Sequence, residues 1–95
     1  MFGLFKRIPE TRALEIELIG KQIEISYEYQ KFEKVLALMD KMQSKTAQFL
    51  AETDWSEEKL DEFLMGRGKL RALSDPSYAS EMYVTLRRWK KSKEP

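Results

Sequence analysis

Leu14-Glu15-Ile16-Glu17-Leu18-Ile19-Gly20-Lys21-Gln22-Ile23-Glu24-Ile25-Ser26-Tyr27-Glu28-Tyr29 is the stretch on which the fold class turns. Apolar and polar residues alternate on either side of Ile19-Gly20-Lys21-Gln22, and the apolar positions are filled by leucine, isoleucine and tyrosine. A period of two built from β-branched and aromatic residues describes half-buried strands. Gly20-Lys21 suits a two-residue type II′ turn, which sets Leu18 against Ile23, Ile16 against Ile25 and Leu14 against Tyr27 on one side of a hairpin. The same register opposes Glu17 and Glu24, a mildly unfavourable pair.

The competing reading is one long helix from about Glu10 to Ala51. Leu14, Leu18, Ile25, Tyr29, Phe32 and Leu36 then form one stripe, and Ile16, Ile19, Ile23 and Tyr27 form the opposite one. That helix needs burial on two sides and carries a central glycine costing ~1 kcal/mol. The sequence favours an α+β fold: a β-hairpin over about 13–29, then three helices over about 31–52, 55–72 and 76–90. The all-α alternative is a long N-terminal helix forming a helical hairpin, which carries self-association with it.

Beyond Gln30 the period is helical. Phe32, Val35, Leu36, Met39, Met42, Phe49 and Leu50 share a face, with Lys34, Asp40, Lys41 and Lys45 outside it. Asp54 followed by Glu57 reads as a capping box, and Glu57, Glu58, Asp61 and Glu62 crowd a helix start that favours anions. Leu60, Phe63 and Leu64 are expected inside. Gly66-Arg67-Gly68 ends or weakens that helix, and Asp75-Pro76 marks an N-cap and first helical residue. In the last helix Ala79, Met82, Tyr83 and Leu86 are assigned to the interior. Tyr78, Trp89 and Phe2 are left as exposed interface anchors.

Ninety-five residues form a single small domain, 1–95, with 42% hydrophobic and 35% charged residues and neither cysteine nor histidine. This excludes a disulfide framework, the usual zinc ligands and the usual neutral-pH general base. No nucleophile elbow or Ser-x-x-Lys pair is present, so a non-enzymatic protein without cofactor or metal is expected. Glu58 and Glu62 lie one helical turn apart, but without a calcium-loop pattern they read as a solvated helix start. Gly66-Arg67-Gly68-Lys69 lacks the spacing of a phosphate-cradling loop and reads as a helix C-cap with flanking cations. The five methionines read as core filler before they read as an adaptable docking surface.

Charge is distributed unevenly. Residues 1–65 hold nine Lys or Arg against thirteen Asp or Glu, net −4, while residues 66–95 hold eight against three, net +5. The densest cluster, Arg87-Arg88-Trp89-Lys90-Lys91-Ser92-Lys93, suits an acidic protein surface or a polyanion, whose unpaired bases could stack on Trp89 or Tyr83. The candidate binding residues are Arg67, Lys69, Arg71, Arg87, Arg88, Trp89, Lys90, Lys91 and Lys93.

The functional expectation is a protein–protein interaction module. Its size and charge are compatible with small inhibitors or assembly adaptors of bacteria or their viruses; nucleic-acid or nucleotide binding is the alternative. No apolar run spans a bilayer, and a cytoplasmic location is expected. Phe2, Leu4, Phe5 and Ile8 are read as folding back onto the core, with membrane-surface attachment the weaker option.

Overall fold

The computed structural model describes residues 8–94, in which there are five helices and no strand. These are α1 (Pro9–Glu28), α2 (Phe32–Glu52), α3 (Glu57–Arg67), α4 (Arg71–Ser74) and α5 (Pro76–Ser92). The expected hairpin over 13–29 is therefore overturned. The segment is one continuous helix, and the α+β class gives way to an all-helical one.

Two features reconcile α1 with its sequence. First, the alternation that mimics a strand also places apolar residues on two opposite helical stripes, and only one of them is interior: Ala13, Ile16, Ile19 and Ile23 are buried. Second, Gly20 is not a turn. It sits within the helix, where a Cβ would lie 3.0 Å from both methyl carbons of Leu70 and 3.4 Å from the Met42 methyl. The helix-propensity loss at Gly20 is the condition for that close approach.

The chain reverses at Tyr29-Gln30-Lys31, so the continuous helix to Ala51 is also not formed. Gln30 adopts a left-handed φ of 59°. Its N–H donates to the Tyr27 carbonyl at 2.9 Å, and the Lys31 N–H donates to the Ser26 carbonyl at 2.9 Å. This is the paired closure of a Schellman motif, with glutamine where glycine is usual. The result is an antiparallel hairpin of α1 and α2, tied at its far end by Arg12 and Glu52 at 2.6 Å.

Thr53 ends α2: its hydroxyl donates to the Phe49 carbonyl at 2.8 Å and accepts the Trp55 N–H at 3.2 Å. That turn directs Trp55 inward, edge-on to Phe49 and Phe63 with ring centroids 5.3 Å away in each case. The N-cap of α3 is Ser56, whose Oγ accepts the Lys59 N–H at 3.1 Å, rather than Asp54. Gly68, at φ 67°, stops α3 and divides the helix expected over 55–72. Asp75 caps α5 as the sequence predicts, accepting the N–H groups of Ser77 and Tyr78 at 3.1 and 3.2 Å.

Apolar side chains collect in two clusters along the hairpin. One joins Ala13, Ile16, Phe49, Trp55, Leu60, Leu64 and Leu70. The other joins Ile19, Ile23, Val35, Tyr78, Met82 and Leu86, with Met42 packed against both. Thus α3 covers one half of the hairpin and α5 the other, and the short α4 links them across Gly20.

Candidate interaction surface

Tyr78, Met82 and Leu86 recur every fourth residue and are buried, so the opposite side of α5 faces solvent. That side carries Tyr83 and Val84, 59% and 40% exposed, followed by the exposed Arg87, Arg88 and Lys91. The Arg87 guanidinium stands 5.6 Å from the Tyr83 ring centroid. Arg88 borders a shallow depression with Pro76, Ser80, Glu81, Val84 and Thr85. Lys90 and Lys91 lie in the last turn, where cations complement the helix dipole. Among the described residues Arg87, Arg88, Lys90, Lys91 and Lys93 enter no ion pair.

The other predicted cations lie elsewhere, and the two arginines among them are engaged within the molecule. Arg67 grips Glu17 through two nitrogens, at 2.6 and 3.2 Å, and this hydrogen bonding raises its guanidinium above the ordinary value. Lys69 has an exposed side chain, while its carbonyl accepts from the Lys21 ammonium at 3.4 Å. Arg71 lies 4.2 Å over the Tyr78 ring and 3.5 Å from Asp75. From Tyr78 to Arg87 the helix advances roughly 14 Å at 1.5 Å per residue. The structure therefore gathers the C-terminal five cations and leaves Arg67, Lys69 and Arg71 as a separate group around the α3–α4 junction.

The aromatic assignments change. Tyr78, expected outside, is buried, and Tyr83, expected inside, is exposed. The period of four through Tyr78, Met82 and Leu86 was the signal that separates them. Trp89 is half-buried, edge-on to Phe32 at 6.0 Å, with the Lys93 ammonium 5.5 Å from its ring. Phe2, Leu4 and Phe5 lie outside the described residues, and Ile8 is exposed.

Burial pushes the Tyr78 phenol up to about 12, with the carboxylates of Glu24 and Glu28 adding to the effect and Arg71 opposing it. Glu24 is itself buried and accepts the Ala72 N–H at 2.9 Å, holding the first turn of α4. An apolar groove of about 320 Å³ runs beside it, between α2 and the α4–α5 segment, lined by Met39, Met42, Leu73 and Met82. Glu57, Glu58, Asp61 and Glu62 are exposed on α3. Among the described residues no group of three or more carboxylates is arranged to hold a metal ion, and no helix is long and apolar enough to cross a membrane.

No protein-family model, curated protein or solved structure matches this chain.

Proposed function

We propose that the protein is a non-enzymatic interaction module that docks an acidic protein surface on the outward face of α5. The observation that supports this reading is the placement of Tyr83 and Val84 beside Arg87, Arg88 and Lys91, which pair with no carboxylate among the described residues. A tyrosine supplies contact area at low entropic cost, and the cations around it steer and orient an acidic partner. Trp89 is half-buried against Phe32, which withdraws one of the two rings available for base stacking and leaves Tyr83 exposed.

Fluorescence anisotropy with a labelled acidic amphipathic helical peptide, set against a single-stranded oligonucleotide of equal charge, tests this reading. The peptide is expected to bind more tightly. Tyr83→Ala should weaken it by about tenfold, as for a contact contributing ~1.4 kcal/mol, and Arg87→Glu with Arg88→Glu should chiefly slow association. Tighter binding of the oligonucleotide, with a steep logarithmic dependence on salt, would replace this reading with polyanion binding.

A further inference from the structure

We infer that α1 carries a self-complementary face through which two copies of this chain pair antiparallel about a two-fold axis. The stripe of α1 turned away from the core holds Leu18, Ile25 and Tyr29, exposed at 60%, 49% and 74%, together with the partly exposed Leu14. These four positions recur at intervals of four, seven and four residues, which keeps them on one side of a straight helix. Nothing within the described chain covers that side.

The order of the stripe selects its occupant. When a helix packs against its own copy about a perpendicular two-fold axis, the two facing residue numbers sum to a constant. Here Leu14 with Tyr29 and Leu18 with Ile25 give the same constant, 43, so every apolar residue of the stripe meets an apolar residue of the second copy. The axis then passes between Lys21 and Gln22, the polar pair at the middle of the stripe. A parallel pairing would instead stack each residue on itself, with Lys21 beside Lys21.

Charge is accommodated in the antiparallel arrangement. Lys21 is the cation nearest the axis, and its ammonium is drawn back to its own Glu24 at 3.9 Å and to the Lys69 carbonyl at 3.4 Å. Glu28 of the second copy comes level with Glu15 but on the opposite side of the stripe, beside Glu17, whose charge Arg67 already pairs. With few charges at its centre, the contact depends on apolar burial and should vary little with salt. Two helices about 30 Å long bury less than a standard interface, so the pairing is of the weak, concentration-dependent kind. This face is distinct from that of α5, and the inference stands without the proposed function.

Sedimentation of the intact chain over a range of concentrations, combined with single-cysteine probes in this cysteine-free sequence, tests the pairing. A dimer is expected at high concentration, with association at least tenfold weaker in Leu18→Glu and helicity unchanged. Under mild oxidation Gln22→Cys should link to itself. Leu14→Cys alone should not, because its two copies sit about 22 Å apart along the axis, beyond the ~7 Å a disulfide tolerates. Mixed with Tyr29→Cys it should form the heterologous link. A chain that stays monomeric throughout, a dimer indifferent to Leu18→Glu, or self-linking of Leu14→Cys would each overturn the antiparallel pairing. Self-linking of Leu14→Cys would point to a parallel dimer.

Discussion

Leu70 occupies the space that a side chain at residue 20 would fill: both its methyl carbons lie 3.0 Å from the Cβ position of Gly20. The absence of that one side chain lets the α3–α4 connection descend onto α1, and Leu70 is buried there with Phe49, Trp55 and Leu64. Gly20→Ala adds helix propensity, about 1 kcal/mol, and loses a similar amount to a contact that flexible leucine methyls can relieve. It should change stability little. Gly20→Leu displaces Leu70 and should cost about 1–3 kcal/mol, while Leu70→Ala should cost about 2–5 kcal/mol. The double variant should be more stable than the sum of the two losses predicts, as measured by urea unfolding.

Glu24 joins the long hairpin to α4. Glu24→Ala leaves the Ala72 N–H without its acceptor in a part-buried position and should destabilise the protein by about 1–3 kcal/mol. Glu24→Gln keeps an amide oxygen for the same N–H and should lose less. Hydrogen exchange at Ala72 should accelerate in the alanine variant and stay slow in the glutamine one.

The reversal between α1 and α2 sets a non-glycine residue in the left-handed region. Gln30→Gly relieves a backbone cost of about 1–2 kcal/mol, offset in part by the greater freedom of glycine in the unfolded chain, for a net gain of about 1 kcal/mol. Gln30→Val, β-branched at the same φ, should lower the melting temperature.

Tyr78 links burial to alkaline stability. Its folded value of about 12 lies above the ~10 of an exposed phenol, so the folded state holds the proton more tightly than the unfolded one. The contribution is complete below pH ~10 and is lost as pH rises from there towards about 12, amounting to about 2–3 kcal/mol. Tyr78→Phe should show a shallower fall in stability across that range. Difference ultraviolet absorbance of tyrosinate between the two proteins should isolate the late-titrating phenol.

Legibility followed the range of the interactions involved. The Asp75-Pro76 cap and the helical face of Val35 and Phe49 are local hydrogen-bond and steric signals, and each is present in the structure near its expected place, whereas the helix expected over 55–72 is divided at Gly68. Ser56 displaced Asp54 as the cap of α3 because the Thr53 hydroxyl turned the chain and sent Trp55 into the core first. The boundary at Gln30 was legible, since the period changes there, but its conformation was not: no glycine marks the left-handed residue, which two closing hydrogen bonds and the packing of α1 against α2 sustain.

The candidate site divides along the same line. A charge cluster at the end of the last helix was readable from composition, since consecutive basic residues in a final turn stay close together in any fold. The separation of Arg67 and Arg71 from that cluster was not, because it depends on Glu17, Asp75 and the Tyr78 ring being brought to them.

By itself the sequence determined a cysteine-free, histidine-free chain with an acidic front, a cationic end and the caps of its last helix, because composition and short-range hydrogen bonding do not depend on what lies across the core. Only the tertiary structure decided whether residues 13–29 are strands or a helix. Apolar residues on both parities satisfy either period, and the choice fell to Leu70 filling the vacancy at Gly20 and to the packing of one stripe of α1 against α2, α3 and α5.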